Sequence, residues 1–436
     1  MPPAGSALGG LHLREGYGDG GTWIPAFAGM TYKRARQRFY LEPRSLVVRI
    51  AIRRYTGLMP VPLPLPVEIV SQSAQFDAAV KAMLDFRVIA LDTESNSFCY
   101  YPEQLCLIQV ATSHKVYVID AIVLKDLAPL KEVLADASII KVVHAADQDI
   151  RSLDIHCGFR IRNLYDTSIA AHFAGLIRFG LATLIEDLLG VTIPKSKRLQ
   201  RADWGRRPLS AEALDYAAAD VRHLFALRKA LDQRLHALGR TEWVAEECSR
   251  LEEMQYAAPS PETAYLSAKG VRDLNGQGLA VLRSLFMFRE EEARRQHRPL
   301  FFVVPDAVLV SLAMSPTTTL SDVPGLGQTG LQRYGRGLEQ AIRDGLAAPP
   351  IYRPPRVSAE RLSHEQSQRL TQLKDWRVSL GTTLSLDPSL LWPMASLERL
   401  AKKPHTIDVE LTSSDVRRWQ RDNFALDLRA YLKSLP

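Results

Sequence analysis

The residues of this sequence best suited to chemistry are two carboxylates, Asp92 and Glu94, which follow an apolar segment. Residues 88–91 read Val-Ile-Ala-Leu, a composition that predicts a buried strand ending at the two acids. Because side chains two residues apart on a strand point to the same side, both carboxylates can converge on one point beyond the strand. Carboxylate oxygens are the ligands that hard divalent cations prefer. Taken alone, such a pair is more typical of a solvated strand end, so the interpretation depends on acids elsewhere.

A second group of acids lies at the end of another predicted strand. Residues 139–143 read Ile-Ile-Lys-Val-Val, a predicted buried strand, and the segment from His144 to Asp149 then opens a predicted helix. Acids in a first helical turn often do no more than complement the helix dipole. One acid of this turn, Asp147 or Asp149, is nevertheless a candidate metal ligand, and the residue pattern leaves the choice open.

The third group combines a tyrosine and an acid in a long helical pattern from Ser210 to Leu235. Tyr216 and Asp220 are four residues apart, so they share one helix face, and the alanines between them allow close approach. A tyrosine at this spacing usually belongs to a core, and an acid within a helix usually faces solvent. An aspartate on the apolar face that Tyr216 and Leu224 define instead favours a functional site.

Together these segments supply four carboxylates to one predicted site: Asp92, Glu94, one of Asp147 or Asp149, and Asp220. That many negative charges need cations to lie close together, and oxygen ligands favour Mg²⁺ or Mn²⁺. Two such ions, about 3.5–4 Å apart, can activate a water molecule and stabilise the leaving oxygen of a phosphodiester. The chemistry predicted from these residues is hydrolysis of nucleic acid.

The same segments resemble the motifs of the ribonuclease D family, four-acid exonucleases with a tyrosine in their third motif. The five matching segments are Leu91–Glu94, residues 103–110, His144–Asp149, residues 203–209 and Tyr216–Asp220. They occur in the family's order, and the resemblance as a whole covers about residues 67–235. By this resemblance Asp149, rather than Asp147, is the ligand of the second motif.

The resemblance also implies a role for each motif residue. Two divalent metal ions would be bound by four acids, namely Asp92, Glu94, Asp149 and Asp220. Tyr216 would orient the attacking water by hydrogen bonding. In the related histidine subclass a histidine stands five residues before the last acid, and that position is Asp215 here. The tyrosine subclass is therefore indicated.

Four further residues are candidate substrate-binding or positioning residues: Gln109, Lys197, Arg201 and Trp204. The basic run from Lys195 to Arg201 precedes Trp204. Such a run is usually a solvated loop, and the tryptophan is equally compatible with a core. Basic side chains beside an aromatic ring also suit a phosphate backbone that enters a site.

The elements that must position these residues predict an α/β fold followed by helices. Closely spaced strands with short connections indicate an antiparallel or mixed portion of sheet, and the resemblance implies a ribonuclease H-like fold. The expected domains are an exonuclease domain at 67–235, an HRDC nucleic-acid-binding domain at 276–346 and a diverged HRDC-like domain at 364–436. The second HRDC-like domain rests on a partial recurrence of residue order, which generic helix packing would also produce.

Residues 1–58 stand apart from the rest of the chain. They carry nine Lys or Arg against three Asp or Glu, a net +6 of the total +7, so the basicity lies mainly outside the predicted catalytic domain. A basic RNA-binding arm, a disordered tail and a targeting peptide are possible interpretations. Residues 23–31 resemble a peptide encoded by bacterial intergenic repeats, which favours a mis-called start with Met59 as initiator. We expect residues 1–58 to add nothing to the fold.

Composition narrows the setting of the protein. No apolar run approaches the roughly eighteen residues that a membrane span needs, so we expect no membrane association. The four cysteines have neither zinc-ligand spacing nor the density of a disulfide scaffold. A reduced, cytoplasmic location is the simplest interpretation.

The predicted function is a metal-dependent 3′–5′ exoribonuclease that releases 5′-mononucleotides. By family resemblance its substrates would be tRNA precursors with 3′ trailers, and we expect it to act as a monomer. A DNA 3′–5′ exonuclease is the alternative enzyme, because no residue of the sequence shows how a 2′-hydroxyl would be recognised. A non-catalytic RNA-binding adaptor ranks lower, since all four acids and the tyrosine are present.

Overall fold

The computed structural model describes four stretches of the chain. They are residues 65–193, 196–256, 260–352 and 361–435. The predictions made for residues 1–58 lie outside these stretches. Within them, no helix combines the length and the apolar character that crossing a membrane requires.

A six-stranded mixed sheet forms the centre of the α/β domain. Its strands are β1 (Val67–Val70), β2 (Val88–Ser95), β3 (Leu105–Ala111), β4 (Val116–Asp120), β5 (Ile140–Val143) and β6 (Leu164–Asp166). They lie in the order β1-β4-β3-β2-β5-β6, with β3 antiparallel to both its neighbours and the other pairs parallel. The mixed sheet confirms the predicted fold class, and β6 is a strand that the sequence patterns did not predict.

Helices cover both faces of this sheet. They are α1 (Ser73–Leu84), α2 (Ala121–Leu124), α3 (Leu130–Ala135), α4 (Asp147–Cys157), α5 (Thr167–Phe173), α6 (Leu181–Leu189), α7 (Lys197–Gln200), α8 (Ala211–Arg222), α9 (Leu224–Leu238) and α10 (Thr241–Glu252). Ala90 of β2 belongs to the core formed with α8 and α9, whereas Leu91 belongs to the core formed with α1, α3 and α4. Because strand side chains alternate, Asp92 and Glu94 share the α8 face with Ala90.

The helical pattern that was predicted as one element from Ser210 to Leu235 is two helices. The Ser210 hydroxyl accepts a 3.2 Å hydrogen bond from the amide of Ala213, which confirms the predicted cap of α8. The helix then breaks at His223. On the two sides of this break, α8 lies against β2, β3 and β4, whereas α9 packs mainly on α5 and α6 and also contacts β2 and β5.

The remaining chain is helical. After α11 (Pro261–Ala264), the first helical unit contains α12 (Gly276–Gln296), α13 (Leu300–Val303), α14 (Asp306–Met314) and α15 (Gly327–Ala347). The second helical unit contains α16 (His364–Leu384), α17 (Pro388–Leu391), α18 (Met394–Lys402), α19 (Ile407–Leu411) and α20 (Arg418–Ser434). Short 3₁₀ turns lie at Tyr265–Ser267, Val271–Asp273, Leu320–Asp322 and Pro404–Thr406.

The two helical units share an internal pattern. In each, a helix of 21 residues is followed by helices of 4 and 9 residues. In the first unit, Arg289 donates a 3.0 Å hydrogen bond to the carbonyl of Val304. In the second, Arg377 donates a 3.0 Å hydrogen bond to the carbonyl of Trp392, again 15 residues further on. Equivalent long-side-chain contacts at equal spacing support the prediction of two related units.

The two units differ in how their cores are built. The second unit shares an apolar core with the α/β domain and α10, in which Trp419 stacks on Trp243 with ring centroids 4.7 Å apart. Phe173 meets the Trp419 ring edge-on at 5.3 Å. The first unit has a separate apolar core of its own. We therefore expect the second unit to be a fixed part of the α/β domain.

Replacing Trp419 by Ala tests this shared core. The substitution removes a buried aromatic ring, so we expect a loss of about 3–5 kcal/mol of stability and a clearly lower melting temperature. Leu426→Ala is the matched control, because Leu426 lies on the same helix and is 84% exposed. Melting temperatures that are equal for the two variants, measured by scanning calorimetry, would contradict a shared core.

Candidate active site

Three carboxylates meet beyond the end of β2. One oxygen from each of Asp92, Glu94 and Asp220 lies within 4.8 Å of the other two. The two β2 acids point to the α8 face of the sheet, and Asp220 lies in the last turn of α8. The register of β2 against β3 shifts between Glu94 and Ser95, an irregularity of the kind that redirects side chains next to functional sites. The structure thus brings together three of the four predicted ligands.

Asp149 approaches the same site from the opposite face of the sheet. It lies in the first turn of α4, is 5% exposed, and accepts a 2.7 Å hydrogen bond from the hydroxyl of Thr93. Thr93 stands between the two β2 acids, so it ties Asp149 to the strand end that carries them. Burial raises the pKa of both Asp92 and Glu94, and the negative charge of Asp149 raises it further. Asp149 thus lies beside the group of three carboxylates and interacts with it electrostatically.

Asp147 has a different partner. Its carboxylate accepts a hydrogen bond from the hydroxyl of Tyr256, and the amide of Tyr256 bonds to Asp154 at 2.6 Å. This arrangement holds the segment after α10 against α4. The geometry supports Asp149 over Asp147 as the ligand, a choice that the residue pattern had left open.

The turn that presents α4 is organised by Asp166, a residue that the sequence analysis missed. Its carboxylate accepts hydrogen bonds from the amides of Ala145 at 3.1 Å and Ala146 at 2.9 Å, and also caps α5 through the amide of Ser168. Ala145 has a φ of +56°, a left-handed conformation that needs such support. The available signal was the Leu-Tyr-Asp-Thr-Ser sequence of residues 164–168, an acid placed to cap a helix.

The four acids of the site all have raised pKa values. Burial and the neighbouring acids raise the pKa of Glu94 to about 9. Burial raises the pKa of Asp149 and of Asp220 to about 7, and burial with repulsion from the other acids raises the pKa of Asp92 well above its ordinary value. Four hard oxygen donors with this much unrelieved repulsion fit a divalent cation, whose charge would favour the ionised acids.

Tyr216 is placed to serve the same site. It lies one turn before Asp220 on α8, and its side chain partly offsets the rise that burial causes in the pKa of Asp220. Burial and the charges of Asp220 and Glu94 raise the pKa of Tyr216 above its ordinary value. The phenol therefore stays protonated at neutral pH and can act as a hydrogen-bond donor.

Two of the predicted substrate or positioning residues are inaccessible. Trp204 is 1% exposed, and its ring centroid lies 6.1 Å from that of Tyr216. Gln109 is fully buried on β3 directly opposite Asp92, and its amide atoms have no hydrogen-bond partner among the described residues. Both residues can support catalytic side chains, but neither can contact a substrate in this arrangement.

The two predicted basic residues are exposed. Lys197 lies on the short helix α7, and Arg201 follows it. The guanidinium of Arg201 lies 5.8 Å from the ring centroid of Phe98, which is itself half exposed on the loop after β2. These side chains are available to a ligand.

The segment that carries Trp204 is anchored by an ion pair that the sequence analysis did not identify. Arg207 donates to both oxygens of Asp120, from Nε at 2.6 Å and from a terminal nitrogen at 2.7 Å. Arg207 also donates a 2.7 Å hydrogen bond to the carbonyl of Trp204. Because Asp120 ends β4, this bidentate contact anchors the Trp204 segment to the sheet and keeps Trp204 packed against Tyr216.

The fold and the site together define a 3′–5′ exonuclease. Residues 67–236 match the family model described as a 3′-5′ exonuclease, and residues 278–342 match the model of the HRDC domain. The structure is similar to that of RNase D from Escherichia coli, described as an exoribonuclease involved in structured RNA processing. That similarity has a TM-score of 0.64 at 25% identity and covers 85% of this chain and all of that one. It is also similar to the catalytic core of RRP6 from Trypanosoma brucei, with a TM-score of 0.55 at 26% identity over 65% of this chain and 80% of that one.

Sequence relatives identify the family. The chain is 32% identical to ribonuclease D of Desulfotalea psychrophila over 338 residues, which are 76% of this chain and 90% of that protein. It is 34% identical to ribonuclease D of Granulibacter bethesdensis over 351 residues, 78% of this chain and 86% of that protein. The chain belongs to the ribonuclease D family. It is a hydrolase, a 3′–5′ exoribonuclease, which confirms the activity predicted from the motifs.

The raised pKa values predict how stability depends on pH and metal. Acids whose folded pKa exceeds the unfolded value, near 4, bind more protons in the folded state, so stability falls as pH rises from about 4 toward about 9. In EDTA we expect the melting temperature to drop by several degrees, on the order of 5 °C, between pH 5 and pH 8. Mg²⁺ or Mn²⁺ should offset this loss at pH 8 and have little effect at pH 5.

Asp220→Asn isolates the cause of this dependence. Removing one charge should flatten the pH dependence in EDTA and reduce the shift that metal produces, as measured by differential scanning fluorimetry. Asp215→Asn is the matched control, since Asp215 lies one turn earlier on α8 with a side chain that is 77% exposed. A melting temperature that is constant from pH 5 to pH 8 in EDTA would contradict repulsion among the acids.

Proposed function

We propose that this exoribonuclease trims the 3′ trailers of tRNA precursors, one 5′-mononucleotide at a time, by a two-metal mechanism. The observation that carries the proposal is the convergence of Asp92, Glu94 and Asp220, with Asp149 and Tyr216 beside them. The similar Escherichia coli enzyme, described as acting in structured RNA processing, supports an RNA substrate with a folded body and a free end.

In this mechanism the four acids, Asp92, Glu94, Asp149 and Asp220, hold the metal ions. When bound, two Mg²⁺ or Mn²⁺ ions supply Lewis-acid activation of the scissile phosphate and of the attacking water. The protein contributes the positions of the oxygen ligands, which β2, α4 and α8 set from three directions. Thr93 donates a hydrogen bond to Asp149, and Tyr216 lowers the pKa of Asp220, so both side chains favour the ionised acids that bind cations.

Tyr216 has the second catalytic role. Its protonated hydroxyl lies one helical turn from the ligand Asp220, where it can donate a hydrogen bond to the reacting oxygen atoms and orient the attacking water. Trp204 packs against Tyr216, and the Arg207–Asp120 pair holds Trp204 in place. Trp204 and buried Gln109 therefore act as positioning residues.

Exposed basic side chains provide a path for the RNA backbone. Lys197 and Arg201 precede the Trp204 segment, and Arg201 lies against the exposed ring of Phe98. Phosphates attract such side chains without regard to base sequence, and an exposed aromatic ring can stack on an unpaired base. This combination suits the single-stranded 3′ end of a precursor.

The proposed domain organisation follows the prediction from sequence. Residues 67–235 form the exonuclease domain, 276–346 an HRDC domain and 364–436 a diverged HRDC-like domain. The repeated helix lengths and the equivalent bonds of Arg289 and Arg377 support the second HRDC-like assignment. We further propose that the protein acts as a monomer in the cytoplasm, where its four cysteines, all free in the structure, would remain reduced.

A cleavage assay tests the proposal directly. A tRNA precursor with a short 3′ trailer and a DNA oligonucleotide of the trailer sequence, both labelled at the 5′ end, are incubated with the full chain in Mg²⁺ or in EDTA. We expect a ladder of products that shorten from the 3′ end only with the RNA substrate and only when Mg²⁺ is present. Equal trimming of DNA would favour a general 3′ exonuclease, and binding without trimming would favour an adaptor.

A comparison of Asp92→Asn with the wild type then distinguishes catalysis from RNA binding. The substitution removes one ligand charge, so we expect cleavage to be lost while the affinity for the precursor, measured by filter binding, stays nearly unchanged. Retained turnover in Asp92→Asn would overturn the assignment of the metal site.

Tyr216→Phe tests the second catalytic role. Loss of the hydroxyl should lower the rate of the chemical step by about a hundredfold, because hydrogen bonding to the reacting atoms is lost, while the melting temperature stays close to that of the wild type. Tyr431→Phe is the matched control, since the Tyr431 hydroxyl bonds to the carbonyl of Gln372 in the second helical unit. Equal single-turnover rates for Tyr216→Phe and the wild type would show that the Tyr216 hydroxyl has no catalytic role and that the residue only packs.

A further inference from the structure

One tyrosine links the loop after the catalytic strand to the first helical unit. The hydroxyl of Tyr101 lies 2.6 Å from both carboxylate oxygens of Glu290 on α12, 189 residues further along the chain. The Tyr101 side chain also packs against the apolar core of that unit. The loop from Asn96 to Gln104 thus reaches out of the α/β domain and into its neighbour.

The receiving site on α12 is built for this contact. Glu290 is buried, and Arg294, one turn later, holds its carboxylate through a 2.9 Å hydrogen bond from Nε. The guanidinium of Arg294 lies 5.5 Å from the ring centroid of Tyr101. Tyr101 therefore meets a buried carboxylate at its hydroxyl and the half-exposed cation of Arg294 at its ring.

The other end of the loop is fixed to the active site. Buried Asn96 follows the ligand Glu94 by two residues, and its side-chain oxygen accepts a 2.7 Å hydrogen bond from the amide of Gln104. The Asn96 carbonyl accepts bonds from the amides of Cys99 and Tyr100 at 2.8 and 2.9 Å. These bonds make the loop compact and tie it to the residues that follow the catalytic acids.

The same loop carries a side chain that faces the proposed RNA path. Phe98 lies against Arg201, and the hydroxyl of Tyr100 donates a 3.1 Å hydrogen bond to Asp203 in the segment that precedes Trp204. The loop therefore contacts three parts of the molecule: the strand of the catalytic acids, the basic segment and the first helical unit.

We propose that Tyr101 is a positioning residue that holds the first helical unit beside the β2–β3 loop, so that RNA long enough to reach that unit is directed into the catalytic site. This inference rests on the proposed function. The second helical unit does not need such a contact, because it shares its core with the α/β domain. The first unit has its own core, so its position depends on surface contacts such as that of Tyr101 with Glu290.

Substrate length provides the test. Tyr101→Phe in the full chain keeps the packed ring and removes the bond to a charged partner. We expect its kcat/KM to fall about tenfold on an RNA hairpin with a single-stranded 3′ tail and to stay within about twofold of wild type on an RNA dinucleotide. Glu291→Gln is the matched control, since Glu291 is the exposed neighbour of Glu290 on α12.

Hydrogen–deuterium exchange supplies a readout that is independent of cleavage. In Tyr101→Phe we expect faster amide exchange in both residues 96–104 and residues 276–296, with β3 unchanged. Equal loss of activity on the two substrates would show that Tyr101 supports only the catalytic strand. Wild-type values in both the cleavage and the exchange measurements would show that the contact does not position the first helical unit. Either result overturns the inference. If the wild type cleaves neither RNA, the proposed function fails, and the exchange measurement still tests the contact.

Discussion

The arrangement of the site depends on four acids that are at least partly buried and that repel one another. Asp92 and Glu94 reach the site from a strand, and Asp149 and Asp220 reach it from helices on opposite faces of the sheet. Their raised pKa values show that the folded chain alone does not satisfy their charges. A site of this kind favours divalent cations, since binding relieves a repulsion that the fold has already imposed.

Two other buried acids of the α/β domain support the backbone around the site. Asp166 accepts hydrogen bonds from four backbone amides, and Asp120 accepts from two amides and from Arg207. Each of these acids holds a backbone segment that carries a site residue. The difference in hydrogen bonding separates supporting acids from ligand acids, because a ligand must keep its lone pairs available for a cation.

The two helical units differ in how they are attached to the catalytic domain. Stacked aromatic rings join the second unit to α10, so it belongs to the same rigid body of packed side chains as the catalytic domain. The first unit meets the catalytic domain through the β2–β3 loop, whose other contacts are with the catalytic strand and the basic segment.

The sequence by itself determined the mixed α/β fold and the cap of α8 and indicated the candidate acids, because these follow from local periodicity and motif spacing. The preference for Asp149 over Asp147 came only from the family resemblance. The sequence did not reveal β6, which has three residues, or the break at His223 within a continuous helical pattern. Nor did it reveal the pairing of Arg207 with Asp120 or of Tyr101 with Glu290, partners that lie 87 and 189 residues apart. Only the tertiary structure decided these contacts, because local patterns carry no information about which distant side chain a buried charge will meet.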